Sequence, residues 1–318
     1  MEESARWTAW HLHLPAADIG LQDRAVAEVV TPTVAELPGT GWFFVRYWQA
    51  GPHVRLRLRG LADDQEKTVE RSLTERMDRL CADLRSPGLS TADYLAQARQ
   101  LARAGENGSA IDVEELLPAG VHRSPYQPEF QRYGGRAEMA QAEESFQRSS
   151  EIVASLLAGA AHRGERHAGA VSLPPGVRFK AALQATAAAL EAAEQDEKWV
   201  LGFCEHGVRT WGSWLTQAGT PQAHLDALSA EAARLGAQLT GIRALLPTAG
   251  NGTVRRWADG LGTTMRRWRT TPGIEAESVL FSHIHMLHNR LGTAARAELL
   301  CYAVLHDVLS SEIRKSNR

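Results

Sequence analysis

The chain has 318 residues, with 35 Lys and Arg against 37 Asp and Glu, a formal net charge of -2, and 44% hydrophobic residues. That balance fits a globular chain of one large domain or two small ones, and it means that any cationic binding surface must be local. Cys81, Cys204 and Cys301 are odd in number, far apart and without a CxxC. This argues against a disulfide framework or a zinc ribbon and fits a reducing cytoplasm.

The N-terminal MEESARWTAW lacks the basic and apolar regions of a signal peptide, and no stretch approaches the ~20 apolar residues of a membrane span. Residues 7–14 then read as a strand with Trp10, Leu12 and Leu14 on one side. Residues 21–37 carry helical spacing in Ala25, Val29 and Val34, with Pro32 opposing the later half. Residues 42–48 are aromatic and β-branched, and residues 53–59 alternate strictly, so the two predict a hairpin turned at Gly51-Pro52. A long amphipathic helix is expected over 62–84, a helix over 97–104 and a strand within 111–121. The order β-α-β-β-α-β is that of a ferredoxin-like unit.

Beyond about Gly135 the composition turns Ala-rich, and helices are expected over 137–161, 179–193, 198–215, 223–246, 254–268, 275–291 and 294–313. A Gly- and Pro-containing loop, 163–177, separates the first of these from the rest. The fold class is therefore α+β, a ferredoxin-like portion over 1–134 followed by a largely α-helical portion over 135–318. No internal repeat is visible.

Four segments carry the polar pattern. In WFFVRYWQAGPHVRLRLRG, residues 42–60, strand alternation puts His53, Arg55, Arg57 and Arg59 on one face and Val54, Leu56 and Leu58 on the other. Arg46 joins the basic face in one register and leaves it in the next. Such a face is either a solvated sheet edge or the wall of an anion pocket, where guanidinium groups take carboxylate or phosphate through paired hydrogen bonds. In YQPEFQRYGG, residues 126–135, Glu129 and Arg132 are three apart and pair if the segment is helical, while Gly134-Gly135 permits a sharp turn.

In SHIHMLHNRLG, residues 282–292, helical spacing puts Ser282, His285 and Asn289 on one face with His288 beside His285. A histidine there is either satisfied in the core or a proton-transfer group. A metal site is not expected, because i and i+2 diverge on a helix and no HExxH is present. In VRRWADGLGTTMRRWR, residues 254–269, arginines interleave with Trp257 and Trp268. This is either an exposed helix face with aromatic anchors or a surface for an acidic peptide or RNA backbone. There is no Walker A, no GxGxxG after a strand and no GxSxG elbow.

Three of these segments together resemble one family. WFFVRYWQAGPHVRLRLRG is similar to the WFFIRYxDPxPHLRLRF signature of lantibiotic dehydratase elimination domains and thiopeptide-type biosynthesis proteins, YQPEFQRYGG to their YxxExxRYGG, and HMLHNRLG to their HMxxNRLxG. The resemblance runs in family order over roughly residues 7–310 and implies a single elimination-type domain over 1–318.

It implies the loss of glutamate from a glutamylated Ser or Thr of a ribosomal precursor peptide, leaving dehydroalanine or dehydrobutyrine, with no cofactor and no metal. By motif position it implies catalytic roles for Arg57, Arg132, His285 and Glu129, with His285 moving a proton as acid or base and Glu129 orienting Arg132. It implies substrate contacts from Arg55, Arg46, His53 and Asn289. The partners it implies are the precursor peptide, leader plus core, and a separate tRNA-dependent glutamylation protein, with no membrane and no direct nucleic-acid contact. Gln49-Ala50 stands where the family has Asp-Pro, which removes a carboxylate beside the arginines. Thiopeptide pyridine synthases, which join two dehydroalanines and release the leader, share the fold, and so does a peptide-binding partner without catalysis.

Overall fold

The computed structural model describes residues 6–82, 84, 88–105, 111–164, 166–167, 170–239, 241–246 and 252–316. The chain forms two compact units. A sheet unit takes Met1–Arg99, Asp112–Glu129 and Phe146–Pro175, and a helical unit takes Gln100–Ile111, Phe130–Ser145 and Gly176–Arg318.

The sheet unit begins with β1 (Trp7–His13), followed by a continuous helical run of α1 (Ile19–Arg24), a π-wound stretch (Ala25–Val30) and α2 (Thr31–Ala35). Then come β2 (Trp42–Tyr47), β3 (His53–Arg59), α3 (Asp63–Ala82), α4 (Thr91–Ala104), whose residues from Gln100 on count with the helical unit, and β4 (Gly120–Ser124). The strand order is β2-β3-β1-β4, antiparallel at every pairing, which is the ferredoxin-like arrangement the element order implied. One sheet face is apolar: Trp10, Leu12, Phe44, Val54, Leu56 and Leu58 are fully buried, as are Val26, Val29 and Val30 of the π-wound stretch and Leu73 of α3. The outer edge of β2 is closed by side chains of α5 (Met139–His162), with Trp42 N donating to Gln147 and Phe44 N to Ser150. That removes one template for strand addition.

Three expectations shift here. Pro32 does not end its helix. The turn before it is π-wound, Pro32 falls in the first turn of α2 where no N–H is needed, and the Thr31 and Thr33 hydroxyls donate to the Val26 and Val29 carbonyls. The helix expected from Gln97 starts at Thr91, because Ser90 and Asp93 form a capping pair and Tyr94, Ala98 and Ala102 make a buried stripe. The last strand starts at Gly120 because the preceding segment places its polar groups elsewhere: Leu117 N donates to the Ala50 carbonyl, and the Asp112 and Glu114 carbonyls accept from Gln49 and Tyr94. Within the loop 163–177, Arg166–His167 (β5) and Ala170–Val171 (β6) pair as a minimal hairpin.

The helical unit contains α6 (Pro175–Ala192), α7 (Glu197–Gln217), α8 (Gln222–Gly236), a 3-10 turn (Ile242–Leu245), α9 (Gly252–Trp268), α10 (Ala276–Leu291) and α11 (Ala295–Ser316). The Ala-rich run is helical as expected, and Ala185–Leu190 of α6 is buried all round, which small side chains permit. The helix expected to reach Leu246 ends at Gly236. Helix α11 packs on α7 and α8. Trp257, Trp268, Leu287 and Tyr302 fill the core, and the Arg178 guanidinium caps the Leu291 carbonyl at the end of α10. Among the described residues, no helix is long and apolar enough to cross a membrane.

Candidate functional site

In the sheet unit, strand register decides which groups meet. His53, Arg55, Arg57 and Arg59 of β3 share one face. Directly across from them on β1 stand His13, His11, Ala9 and Trp7, and on β2 Tyr47, Val45 and Phe43 lie beside His53, Arg55 and Arg57. On β4, His122 lies opposite His11. Each arginine sits against an aromatic ring. The Arg55 guanidinium carbon is 3.5 Å from the Tyr47 ring centroid, Arg57 is 5.1 Å from Phe43 and 4.9 Å from Tyr126, and Arg59 is 5.7 Å from Trp7. Electron-rich ring faces offset the mutual repulsion of the cations and hold the guanidinium planes in place.

Arg46 is on the other face. It pairs across from Val54, and its Nη2 lies 2.7 Å from Asp23 Oδ1, both side chains being buried. Asp23 accepts two further bonds, from the Ser172 hydroxyl and from Leu173 N. The structure thus places Arg46, expected among the substrate contacts, in a core ion pair: β2 alternates, and the register that puts Phe43 and Tyr47 beside the basic face turns Arg46 away.

Three imidazoles, those of His11, His13 and His53, adjoin the arginines, with a fourth, that of His122, at their edge. His53 and His13 stack at 4.3 Å between centroids, His53 and His11 at 4.8 Å, and His122 meets His13 edge-on at 5.0 Å. Arg55 Nε donates to His53 Nε2 at 3.0 Å, so His53 carries its proton on Nδ1 and donates to the Gly51 carbonyl at 2.8 Å. Burial, with the nearby histidines and Arg55 adding to it, pushes the His53 pKa down to about 2. Burial and then Arg55 and Arg57 push His11 down to about 3, and burial and His122 push His13 down to about 4. All three are therefore neutral near pH 7. Among the described residues these are the imidazoles whose nitrogens cluster, rather than the His283–His288 run weighed from the sequence.

In the helical unit, the α10 face reads as the spacing predicts. Ser282 is buried, His285 and Asn289 are partly exposed, and Arg132 Nε donates to the Ser282 hydroxyl at 3.3 Å. Positive φ angles at Gly134 and Gly135, 83° and 97°, turn the chain before α5. Glu129 is exposed, and residues 130–133 form turns where a helical turn was expected. His285 Nδ1 lies 3.1 Å from Glu298 Oε2, and Trp211 packs on the ring at 5.1 Å. His288, fully buried, is 3.8 Å from the same carboxylate and 2.8 Å through Nε2 from the Thr186 hydroxyl. Burial lowers the pKa of His288, with Glu298 opposing. His283 is a core histidine, stacked on Trp268 with Tyr133 tilted against it, and burial and then Arg290 and Arg132 push it down to about 3.

The arginines of α9 are largely spoken for. Arg255 bonds Glu191 and Asp259, Arg266 pairs with Glu194 and Arg267 with Glu138. That supports the exposed-helix reading of residues 254–269 over a nucleic-acid surface.

The family model for the lantibiotic biosynthesis dehydratase C-terminal region matches residues 7–309. The chain belongs to this family. Membership places it in the biosynthesis of ribosomally made, modified peptides.

Solved structures agree in fold. A pyridine synthase from thiomuracin biosynthesis, TbtD, superposes with a TM-score of 0.67 at 18% identity, covering 98% of this chain and 99% of that one. The tRNA-dependent lantibiotic dehydratase MibB from Microbispora sp. 107891 gives 0.56 at 19% identity, over 100% of this chain and 29% of that one. TsrL gives 0.58 at 16% identity, over 98% and 96%. No curated protein gives a significant match.

For this member of the dehydratase C-terminal family, two groups escaped the sequence reading. His11 and His13 alternate with Trp10, Leu12 and Leu14, so the polar side of β1 was legible once that strand was paired with β3. Glu298 falls three and four residues before Cys301 and Tyr302 on the buried stripe of α11, and a carboxylate on an apolar stripe is the signal that marks it. Gln49, in place of the family's Asp, accepts from the Tyr47 hydroxyl and donates to the Asp112 carbonyl, so it fastens the hairpin turn beside Arg55 without adding charge.

Proposed function

We propose that this chain eliminates glutamate from glutamylated Ser or Thr residues of a precursor peptide, acting as a lyase. The observation that carries the reading is the sheet face on which Arg55 and Arg57, each laid on aromatic rings, stand among neutral imidazoles. Its net charge is cationic, and it is built from donors of fixed orientation, which suits the carboxylates of a glutamyl group and the charge that develops as it leaves.

The His285–Glu298 contact supplies the proton step. An ionised Glu298 accepts from Nδ1–H, leaving the lone pair on Nε2, which makes His285 a base for the Cα proton of the esterified residue. As that proton leaves, the Cα–H electrons form the Cα–Cβ double bond. The Cβ–O bond breaks with its electrons going to the glutamate carboxylate. Arg57 grips the carboxylates, with Arg55 beside it. Arg132 and Asn289 are proposed to hold the peptide, and Glu129 to act through Arg132. The partners proposed are the precursor peptide and a separate glutamylating protein.

One observation favours a second reading. The thiomuracin pyridine synthase is matched end to end by this chain, whereas the dehydratase is matched over 29% of its length. In that reading the same fold closes a pyridine from two dehydroalanines and releases the leader.

Two substrates separate the readings. Purified protein given a glutamylated precursor should release one glutamate per modified residue without tRNA, and Arg57→Ala should stop release while peptide binding persists. Conversion of an already dehydrated linear precursor into a pyridine macrocycle would select the second reading, and a full-rate Arg57→Ala enzyme would remove Arg57 from the site.

A further inference from the structure

We propose that His11, His13 and His53 form a site for one divalent transition-metal cation of the imidazole-binding class, such as zinc, nickel or cobalt. The two imidazoles of a His-x-His strand project from one face, and the third comes from the residue paired across the ladder, since His13 stands opposite His53. One nitrogen from each ring can be chosen so that all three lie within 4.8 Å of one another. Tetrahedral zinc with bonds of about 2.0–2.1 Å needs ligand nitrogens roughly 3.4 Å apart, so modest ring rotation closes the site.

Two further observations point to a ligand. His13 is 1% exposed, yet among the described residues neither ring nitrogen makes a well-formed hydrogen bond, the Ala50 backbone approaching it loosely. A buried polar group in that state marks a missing partner. His53 is already in a metal-binding tautomer, because its Nδ1–H is anchored on the Gly51 carbonyl and its lone pair is on Nε2, where it accepts from Arg55 Nε. Anchoring of the remote ring nitrogen by a backbone carbonyl is what orients imidazole ligands in metal sites.

Arg55 Nε occupies that lone pair and would have to yield it, and the charges of Arg55 and Arg57 oppose a bare cation. An anionic fourth ligand removes the conflict. A carboxylate reaching the open coordination position would be shared between the metal and the guanidinium groups. The site therefore favours a metal together with a carboxylate over a metal alone. It goes beyond the elimination reading and does not rest on it, since no step of that reaction uses these three nitrogens.

The test is a titration of the full-length, tag-free chain, stripped with a chelator, with Co2+ in the presence and absence of glutamate. One equivalent should bind with the visible absorption of four-coordinate cobalt, and Zn2+ should displace it. X-ray absorption of the zinc-loaded chain should show outer-shell scattering from three imidazoles. His13→Gln and His11→Gln should each weaken binding by at least about 100-fold. His11 is only partly buried, so its variant keeps the test available if His13→Gln does not fold. Absence of the band in the wild-type chain at excess cobalt, or an unchanged band in the His11→Gln variant, would overturn the proposal.

Discussion

Arg46 and Asp23 leave water together, and the consequence differs from that of the arginines one strand away. Their side chains are 5% and 0% exposed, and the pair has a further donor in Ser172. Removing one partner strands a buried charge, so Arg46→Ala should cost roughly 3–5 kcal/mol of folding stability. Replacing both, Arg46→Met with Asp23→Leu, should recover most of that, and denaturant unfolding of the single and double variants measures both numbers. A stable Arg46→Ala chain that had instead lost peptide affinity would return Arg46 to the binding face.

Glu298 makes a different residue-scale prediction, because its work is to fix the tautomer of His285. Glu298→Gln keeps the shape but lets the imidazole proton move to Nε2. Glutamate release should fall by about 10²–10⁴-fold with KM little changed, and the pH dependence of kcat should shift. A loss confined to KM would make Glu298 a packing group.

At the scale of elements, Gly207 sets how closely α7 approaches α11. A Cβ built there meets the Tyr302 ring, which is fully buried. Gly207→Ala should therefore push the helices apart and cost on the order of 1–3 kcal/mol, readable as a lower denaturation midpoint. Tyr302→Leu in the same chain should relieve part of it. The helices themselves were legible from apolar periodicity, which is a local property. Their ends were less so, because ends depend on what meets them: Ser90 and Asp93 draw α4 out to Thr91, and Thr31 and Thr33 carry the helix past Pro32.

The face of Arg55 and Arg57 was legible because strand alternation has period two. The face of Arg46 was not, since a single strand does not reveal its register. His11 and His13 stayed hidden for a related reason, as they become neighbours of His53 only through the β1–β3 pairing.

Across the whole molecule the histidines set the response to acid. In the sheet unit His11, His13 and His53 have folded pKa values of about 3, 4 and 2, and in the helical unit His283 lies at about 3 with His288 also lowered. In every case burial is the first cause, and the unfolded chain titrates near 6.5. The unfolded chain therefore takes up protons first as pH falls. The stability these groups contribute is whole above about pH 6.5 and drains away below it, by up to about 1.4 kcal/mol per pH unit for each histidine.

Glu66 acts in a lower window. Its hydrogen bonds from Thr8, Arg123 and Arg6 outweigh its burial and hold its pKa at about 2 against 4.5 unfolded, so its contribution is present above pH 4.5 and is lost between 4.5 and 2. Between pH 6.5 and 4.5 the lowered histidines therefore act while the contribution of Glu66 is still whole. Calorimetric melting of the full chain should show the transition falling steadily over that interval, and His11→Gln or His283→Gln should each flatten the slope. A melting temperature constant from pH 7 to 5 would mean that these imidazoles are not held neutral in the fold.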